Sequence, residues 1–219
     1  MVTESAGLLV GQRAHARQHI RDLLETCAVF AFIVGAIWTP PGPLNILFVL
    51  LASISVLVFA ARSRWRASEM GLTRPASGAV KILLAGALFC GLIMLLGIAL
   101  RSAGPGYAVP WIRAAEYGIW AVAQEFILQS VFFLRFEALF GSRHAVFASA
   151  TAYALAHLPN PVLTGLAILG GILFCELFRR WRNLYPIGLI HTALGLTVAA
   201  SLPDKWLHHM RVGIGYLMR

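Results

Sequence analysis

Ionisable side chains lie inside three segments that are otherwise apolar enough to enter a lipid bilayer. The first segment holds Glu125, the second His157 and the third His191. An ionisable group in the hydrocarbon core costs at least ~2.5–3.5 kcal/mol, so such groups are usually retained for function. A carboxylate and two imidazoles could activate a water molecule, polarise a carbonyl and stabilise its tetrahedral adduct. These are the requirements of amide hydrolysis, and the pattern predicts one buried catalytic site.

Four further polar residues near these three are predicted to position the substrate or to hold the oxyanion: Gln124, Gln129, Tyr153 and Asn160. Gln129 follows Glu125 by four residues, so the two share one face of a helix. Tyr153 precedes His157 by the same spacing. A Leu-Pro-Asn-Pro segment at residues 158–161 then ends that helix.

Each of these residues also has a plainer structural interpretation. Glu125 could be a protonated acid that forms a hydrogen bond with a neighbouring helix. The two glutamines could likewise form hydrogen bonds between helices. A lone histidine near a helix end is more often a satisfied structural group. Only the combination of Glu125, His157 and His191 favours catalysis.

The composition defines the elements that must position these residues. Of the 219 residues, 59% are hydrophobic and 12% are charged, and the mean hydropathy is +0.76. These values exclude an ordinary soluble domain and predict an all-α, polytopic membrane bundle. Because a span needs roughly 20 apolar residues, we predict about seven transmembrane helices, near residues 23–38, 46–61, 80–100, 111–134, 144–158, 162–178 and 186–202. Residues 1–22 are predicted to be a polar lead and residues 23–219 a single transmembrane domain.

The distribution of positive charge predicts the orientation of the bundle. Arginines precede the first segment and also follow the second, fourth and sixth segments, which places most of them on one side. By the positive-inside rule this side, with the N-terminus, is cytoplasmic. The net charge of +9 therefore reflects contact with the lipid bilayer and needs no nucleic-acid partner. The Arg- and Ala-rich composition favours a bacterial inner membrane.

Three short motifs, taken in order, resemble those of the CPBP (ABI) family of glutamate-type intramembrane endopeptidases, whose best-known branch comprises the CAAX prenyl proteases. Residues 124–129 resemble a Glu-Glu-x-x-x-Arg motif, residues 153–157 a Phe-x-x-x-His motif, and residues 191–195 a His-x-x-x-Asn motif. The motifs are degenerate, since Gln124, Gln129 and Gly195 replace the first glutamate, the arginine and the asparagine.

The resemblance implies an endopeptidase that cleaves a membrane-anchored or lipid-modified protein or peptide. In the family the first glutamate and first histidine activate water, while the later histidine and the asparagine hold the oxyanion. Transferred to this chain, the catalytic residues are Glu125 as base with His157, and His191 at the oxyanion. The alternative is that the loss at Gln124 removed the base, leaving a membrane scaffold or binding module.

No cofactor is expected from these motifs. A zinc site is a lesser alternative, because two histidines and a glutamate could bind zinc with one open position. The predicted topology raises a further question, since it puts His157 near the outer end of its helix and His191 near the inner end of another. For both to join Glu125, a helix boundary must shift or a helix must be broken.

Overall fold

The computed structural model of the chain is a bundle of helices. It describes the backbone of residues 2–100 and 110–218 and the side chains of residues 16–100 and 110–218; within these residues it contains no strand. The longer helices in chain order are α1 (Val2–Trp38), α2 (Pro43–Ala61), α3 (Ala79–Ala99), α4 (Trp111–Phe140), α5 (Ser142–Leu155), α6 (Pro161–Trp181) and α7 (Leu184–Ser201). Two short helices follow: α8 (Asp204–Leu207) and α9 (Ile214–Leu217). The predicted all-α class is confirmed.

Five of the described helices are long and apolar enough to cross a membrane, namely α2, α3, α4, α6 and α7. The predicted number of about seven is therefore not confirmed. Helix α5 has 14 residues and is ~21 Å long, short of the ~30 Å hydrocarbon core. The predicted first span forms one continuous helix with the predicted polar lead, although the side chains of residues 1–15 lie outside the described part.

Proline, glycine and asparagine set several of the helix boundaries. Pro43 occupies the first turn of α2, where its missing N–H costs nothing. Gly141, with a φ of 80°, separates α4 from α5, a backbone angle that favours glycine. Asn160 caps α6, because its side chain accepts a hydrogen bond from the Leu163 N–H at 3.0 Å.

Small residues let the central helices approach closely. A Cβ added at Gly188 would lie 2.8 Å from the Val122 side chain, which brings α7 against α4. A Cβ at Gly171 would lie 3.0 Å from the Ala150 Cα, which brings α6 against α5. Burial increases from the periphery to the centre: 11% of the spanning window is buried in α2, 50% in α4 and 56% in α7. Glu125 and Gln129 of α4 and His191 of α7 are among the buried residues and lie at the middle of the bundle.

Ion pairs connect the arginine-rich segments to one another and to α1 at one end of the bundle. They join Arg64 to Asp22 at 2.9 Å, Arg135 to Glu25 at 2.6 Å and Arg182 to Glu137 at 2.6 Å. These contacts tie α1 to the α2–α3 connection and to α4, and tie α4 to the α6–α7 connection. The N-terminus at the cytoplasmic side stays a prediction.

Candidate active site

Glu125 lies at the point where α4 changes its winding. The residues Phe126–Phe133 that follow it are π-helical, a local widening of the helix that is frequent at functional sites. Glu125 and Gln129 are both fully buried. The Gln129 side chain donates from Nε2 to Oε2 of Glu125 at 3.0 Å, as the four-residue spacing predicted.

His191, on α7, meets the second oxygen of the same carboxylate. Its Nδ1 lies 2.8 Å from Oε1 of Glu125. With Glu125 ionised, its carboxylate accepts this hydrogen bond, so that Nδ1 is the donor and Nε2 is the acceptor. The Tyr153 hydroxyl lies 3.1 Å from Nε2, within hydrogen-bond distance. A continuous chain of hydrogen bonds thus links Gln129, Glu125, His191 and Tyr153.

Aromatic rings hold the His191 imidazole in place. The Phe174 ring stacks on it, with centroids 5.0 Å apart and an interplanar angle of 20°. The rings of Tyr153 on α5 and Tyr117 on α4 lie nearly perpendicular to the imidazole, with centroid distances of 6.0 Å and 6.4 Å. With the Glu125 contact, these rings leave the imidazole little freedom to turn, so Nε2 has a fixed direction.

His157 joins this arrangement through Tyr153. Its Nδ1 donates to the Tyr153 carbonyl at 2.7 Å, and the two ring centroids are 4.6 Å apart. Tyr153 therefore contacts His157 through its backbone and His191 through its hydroxyl at the far end of its side chain. Tyr153 thus links the two histidines, and the helix α7 that carries His191 is continuous.

The site opens on a cavity of about 650 Å³. Four predicted site residues line it: Gln124, Tyr153, His157 and His191. The rest of the wall is mostly apolar and includes Trp120 and Leu169, which are 57% and 66% exposed on the outer surface of the bundle. The cavity therefore extends to the surface that faces lipid. Glu125 and Gln129 are not part of the wall and lie behind His191.

Two predictions about the site, one on the partner of Glu125 and one on Asn160, differ from the observed contacts. Among the described residues, Glu125 has no hydrogen bond to His157, its predicted partner, and bonds His191 instead. Asn160 is not part of the cavity wall: its Nδ2 donates to the carbonyls of Leu207 at 2.7 Å and Arg211 at 3.2 Å. Together with its cap on α6, these bonds use the Asn160 side chain to fasten the C-terminal segment.

The reasoning from sequence missed Tyr117. This residue lines the cavity and precedes Gln124 by seven residues, which is about two helical turns. Its position on the same face of α4 as Gln124 could have indicated from the sequence that Tyr117 belongs to the site.

The arrangement does not match a zinc centre. The described residues contain no group of three or more His, Cys, Asp or Glu side chains placed to hold a metal ion. Nδ1 of His191 and Oε1 of Glu125 are instead hydrogen-bonded to each other at 2.8 Å.

Comparison with known proteins finds a family model that matches the part of the chain carrying these residues. Residues 107–197 match the family described as type II CAAX prenyl endopeptidase Rce1-like. The predicted resemblance to the CAAX proteases is confirmed. No curated protein and no solved structure gives a significant match. The match covers less than half of the chain, but it contains every predicted site residue, and it supports a CAAX protease-like membrane protein that acts on a protein substrate.

Proposed function

We propose that this CAAX protease-like protein is an intramembrane endopeptidase in which His191 is the general base and Glu125 its carboxylate partner. The observation that carries the proposal is the buried chain from Glu125 through His191 to the Tyr153 hydroxyl, ending at the wall of a cavity. A carboxylate that accepts from one imidazole nitrogen raises the basicity of the other and fixes its direction.

The proposed reaction begins when a water molecule bonds to Nε2 of His191 as the Tyr153 hydroxyl turns towards the substrate carbonyl. His191 takes a proton from the water while the water oxygen bonds to the carbonyl carbon, and an electron pair moves to the carbonyl oxygen. Glu125 stabilises the resulting imidazolium, and the Tyr153 hydroxyl donates to the oxyanion. The C–N bond then breaks, the His191 proton passes to the leaving nitrogen, and an acid and an amine are released.

His157 and Gln124 have supporting roles in this scheme. The Nδ1 of His157 donates to the Tyr153 carbonyl, so its Nε2 is an acceptor that orients the attacking water. The Gln124 amide lines the cavity and can bond the substrate backbone. Relative to the family pattern, this assignment moves the role of base to the later histidine, because Glu125 contacts His191, and gives the oxyanion to Tyr153.

The apolar wall and the lipid-facing rim support a substrate that reaches the site from the bilayer. We therefore propose a membrane-anchored or lipid-modified protein or peptide, cleaved next to an apolar segment. The proposed setting is a bacterial inner membrane with the N-terminus in the cytoplasm.

Glu125→Gln tests the proposal, because the amide keeps the shape of the carboxylate but cannot stabilise the imidazolium. We expect cleavage to fall by about 10⁴-fold, as when an amide replaces the carboxylate of a hydrolytic triad. The measurement is terminal-peptide proteomics on membranes from a wild-type strain, a deletion strain and the deletion strain carrying the variant. New termini should occur only with the wild-type protein.

The matched control is Glu116→Gln, the same change at an exposed residue of the same helix that pairs with Arg113 on the surface. It should leave the termini unchanged. Identical termini in every strain, with the variant present at its normal level, would contradict a protease. That result would favour a scaffold or binding module, the function to which Gln124 and Gly195 point by replacing an acid and an amide of the family motifs.

A further inference from the structure

The Tyr117 hydroxyl lies in the cavity directly against Gly195. A Cβ at residue 195 would coincide with this hydroxyl. Tyr117 is on α4 and Gly195 is on α7, one turn beyond His191 on the same face. The absence of a side chain at residue 195 is therefore what admits the phenol to this place.

The Tyr117 ring lies beside the His191 imidazole. The two rings meet edge-on, with centroids 6.4 Å apart and an interplanar angle of 80°. Tyr153 approaches the same imidazole at 6.0 Å and 89°. His191 thus has a tyrosine from α4 and a tyrosine from α5 beside it, and both line the cavity.

The two hydroxyls differ in their bonding. The Tyr153 hydroxyl is hydrogen-bonded to His191, whereas the Tyr117 hydroxyl makes no hydrogen bond to any described residue. A phenol O–H in an apolar cavity has a strong tendency to find an acceptor. In this cavity the acceptor has to come from whatever enters it, and a carbonyl oxygen held beside His191 fits that description.

We propose that Tyr117 donates a hydrogen bond to the oxyanion in this site, and that Gly195 leaves the space that the Tyr117 hydroxyl requires. This inference rests on the proposed endopeptidase function. The amide that the family motif carries at residue 195 is thereby replaced by a phenol that reaches the same place from the opposite helix. Tyr117 and Tyr153 then donate to the oxyanion from two sides while Glu125 stabilises the imidazolium.

Removal of the hydroxyl is the first test. Tyr117→Phe should lower the initial rate at which wild-type-specific termini form, after induction in the deletion strain, by about 10²–10³-fold, the usual loss for one oxyanion donor. Tyr216→Phe, which deletes a hydroxyl outside the cavity wall, should keep the wild-type rate. An undiminished rate for Tyr117→Phe would overturn the proposal.

An exchange of donors separates a chemical role from a packing role. Gly195→Asn alone should be inactive, because its Cβ would collide with Tyr117. Tyr117→Ala opens that space, and adding Gly195→Asn restores a donor from α7. The double variant should cleave at least about tenfold faster than Tyr117→Ala. A well-placed oxyanion donor raises the rate by about 10²–10³-fold, so partial recovery is expected from an asparagine.

The matched control is Tyr117→Ala with Gly195→Val, which fills similar space without a donor and should give no recovery. Equal recovery by valine and asparagine, or none by asparagine, would overturn the proposal. If the wild-type protein itself produces no new termini, the endopeptidase function fails and this inference falls with it. Wild-type cleavage combined with an active Tyr117→Phe would overturn only the role of Tyr117.

Discussion

At the scale of single residues, the buried carboxylate of Glu125 is stable because each of its oxygens has a partner. Oε1 accepts from His191 at 2.8 Å and Oε2 from Gln129 at 3.0 Å. An ion without such bonds would be strongly disfavoured in this interior. Gln129 therefore supplies a neutral donor where the family motif has an arginine, and it helps to fix the position of the Glu125 side chain.

Gln129→Leu should destabilise the folded protein by about 1 kcal/mol. Losing a hydrogen bond to a charged group costs about 1.5–3 kcal/mol, and part of this is offset because the unpartnered Oε1 of Gln129 is also removed. The measurement is denaturant unfolding in detergent micelles. Gln124→Leu is the control, since Gln124 makes no side-chain hydrogen bond to a described residue. Equal stability of the two variants would contradict the role of Gln129.

At the scale of helices, the close packing of α5 on α6 positions Tyr153. A Cβ at Gly171 would lie 3.0 Å from the Ala150 Cα and 3.4 Å from Cδ1 of Tyr153. The glycine thus lets α5 approach until the Tyr153 hydroxyl reaches His191. The π-helical part of α4 acts on the other side of the site, where it directs Glu125 and Gln129 together towards α7.

Gly171→Leu should push α5 away from α6 and separate Tyr153 from His191. We expect cleavage to fall by at least about tenfold, because a misplacement of 1 Å at a catalytic group can cost about 10²-fold. The protein should still insert in the membrane. Gly165→Leu on the same helix is the control, since a Cβ there meets no described heavy atom within 4 Å. Full activity of Gly171→Leu, measured as wild-type termini, would disprove this role for the contact.

At the scale of the whole molecule, a buried ion pair fastens α1 to the helices that carry the site. Arg135 is 1% exposed, and its guanidinium donates twice to Glu25, at 2.6 Å and 3.2 Å. It also bonds the Val131 carbonyl at 3.1 Å. Since α1 contributes Phe30 and Ile33 to the cavity wall, this pair helps to keep the cavity closed on that side.

Glu25→Leu should lower the free energy of unfolding by about 3 kcal/mol, because it leaves the Arg135 charge buried without its partner. The double variant with Arg135→Leu should recover part of this loss, since both charges are then gone. Glu116→Leu, which breaks an exposed pair, should cost less than about 1 kcal/mol. Unfolding in detergent measures all three, and a double variant less stable than Glu25→Leu would contradict the argument.

The sequence determined the features that depend on neighbours along the chain. Apolar runs and their lengths predicted the helical membrane class, because each helix satisfies its own backbone in lipid. The four-residue spacing predicted that Gln129 and Glu125 share one face of a helix, and the catalytic roles assigned to the polar residues in those runs stay predictions. Apolar runs alone did not predict the number of membrane-spanning helices, because a 14-residue helix such as α5 can be buried by its neighbours without spanning the bilayer.

Only the tertiary structure decided which groups meet. Glu125 and His191 are 66 residues apart, so no local spacing could assign Glu125 to this histidine in preference to His157. The contact of the Tyr153 hydroxyl with His191, the bonds of Asn160 to the C-terminal segment and the contact of Tyr117 with Gly195 also depend on how close distant parts of the chain come. That distance is set by small residues packing against partners far along the chain, and a single sequence does not specify the partners.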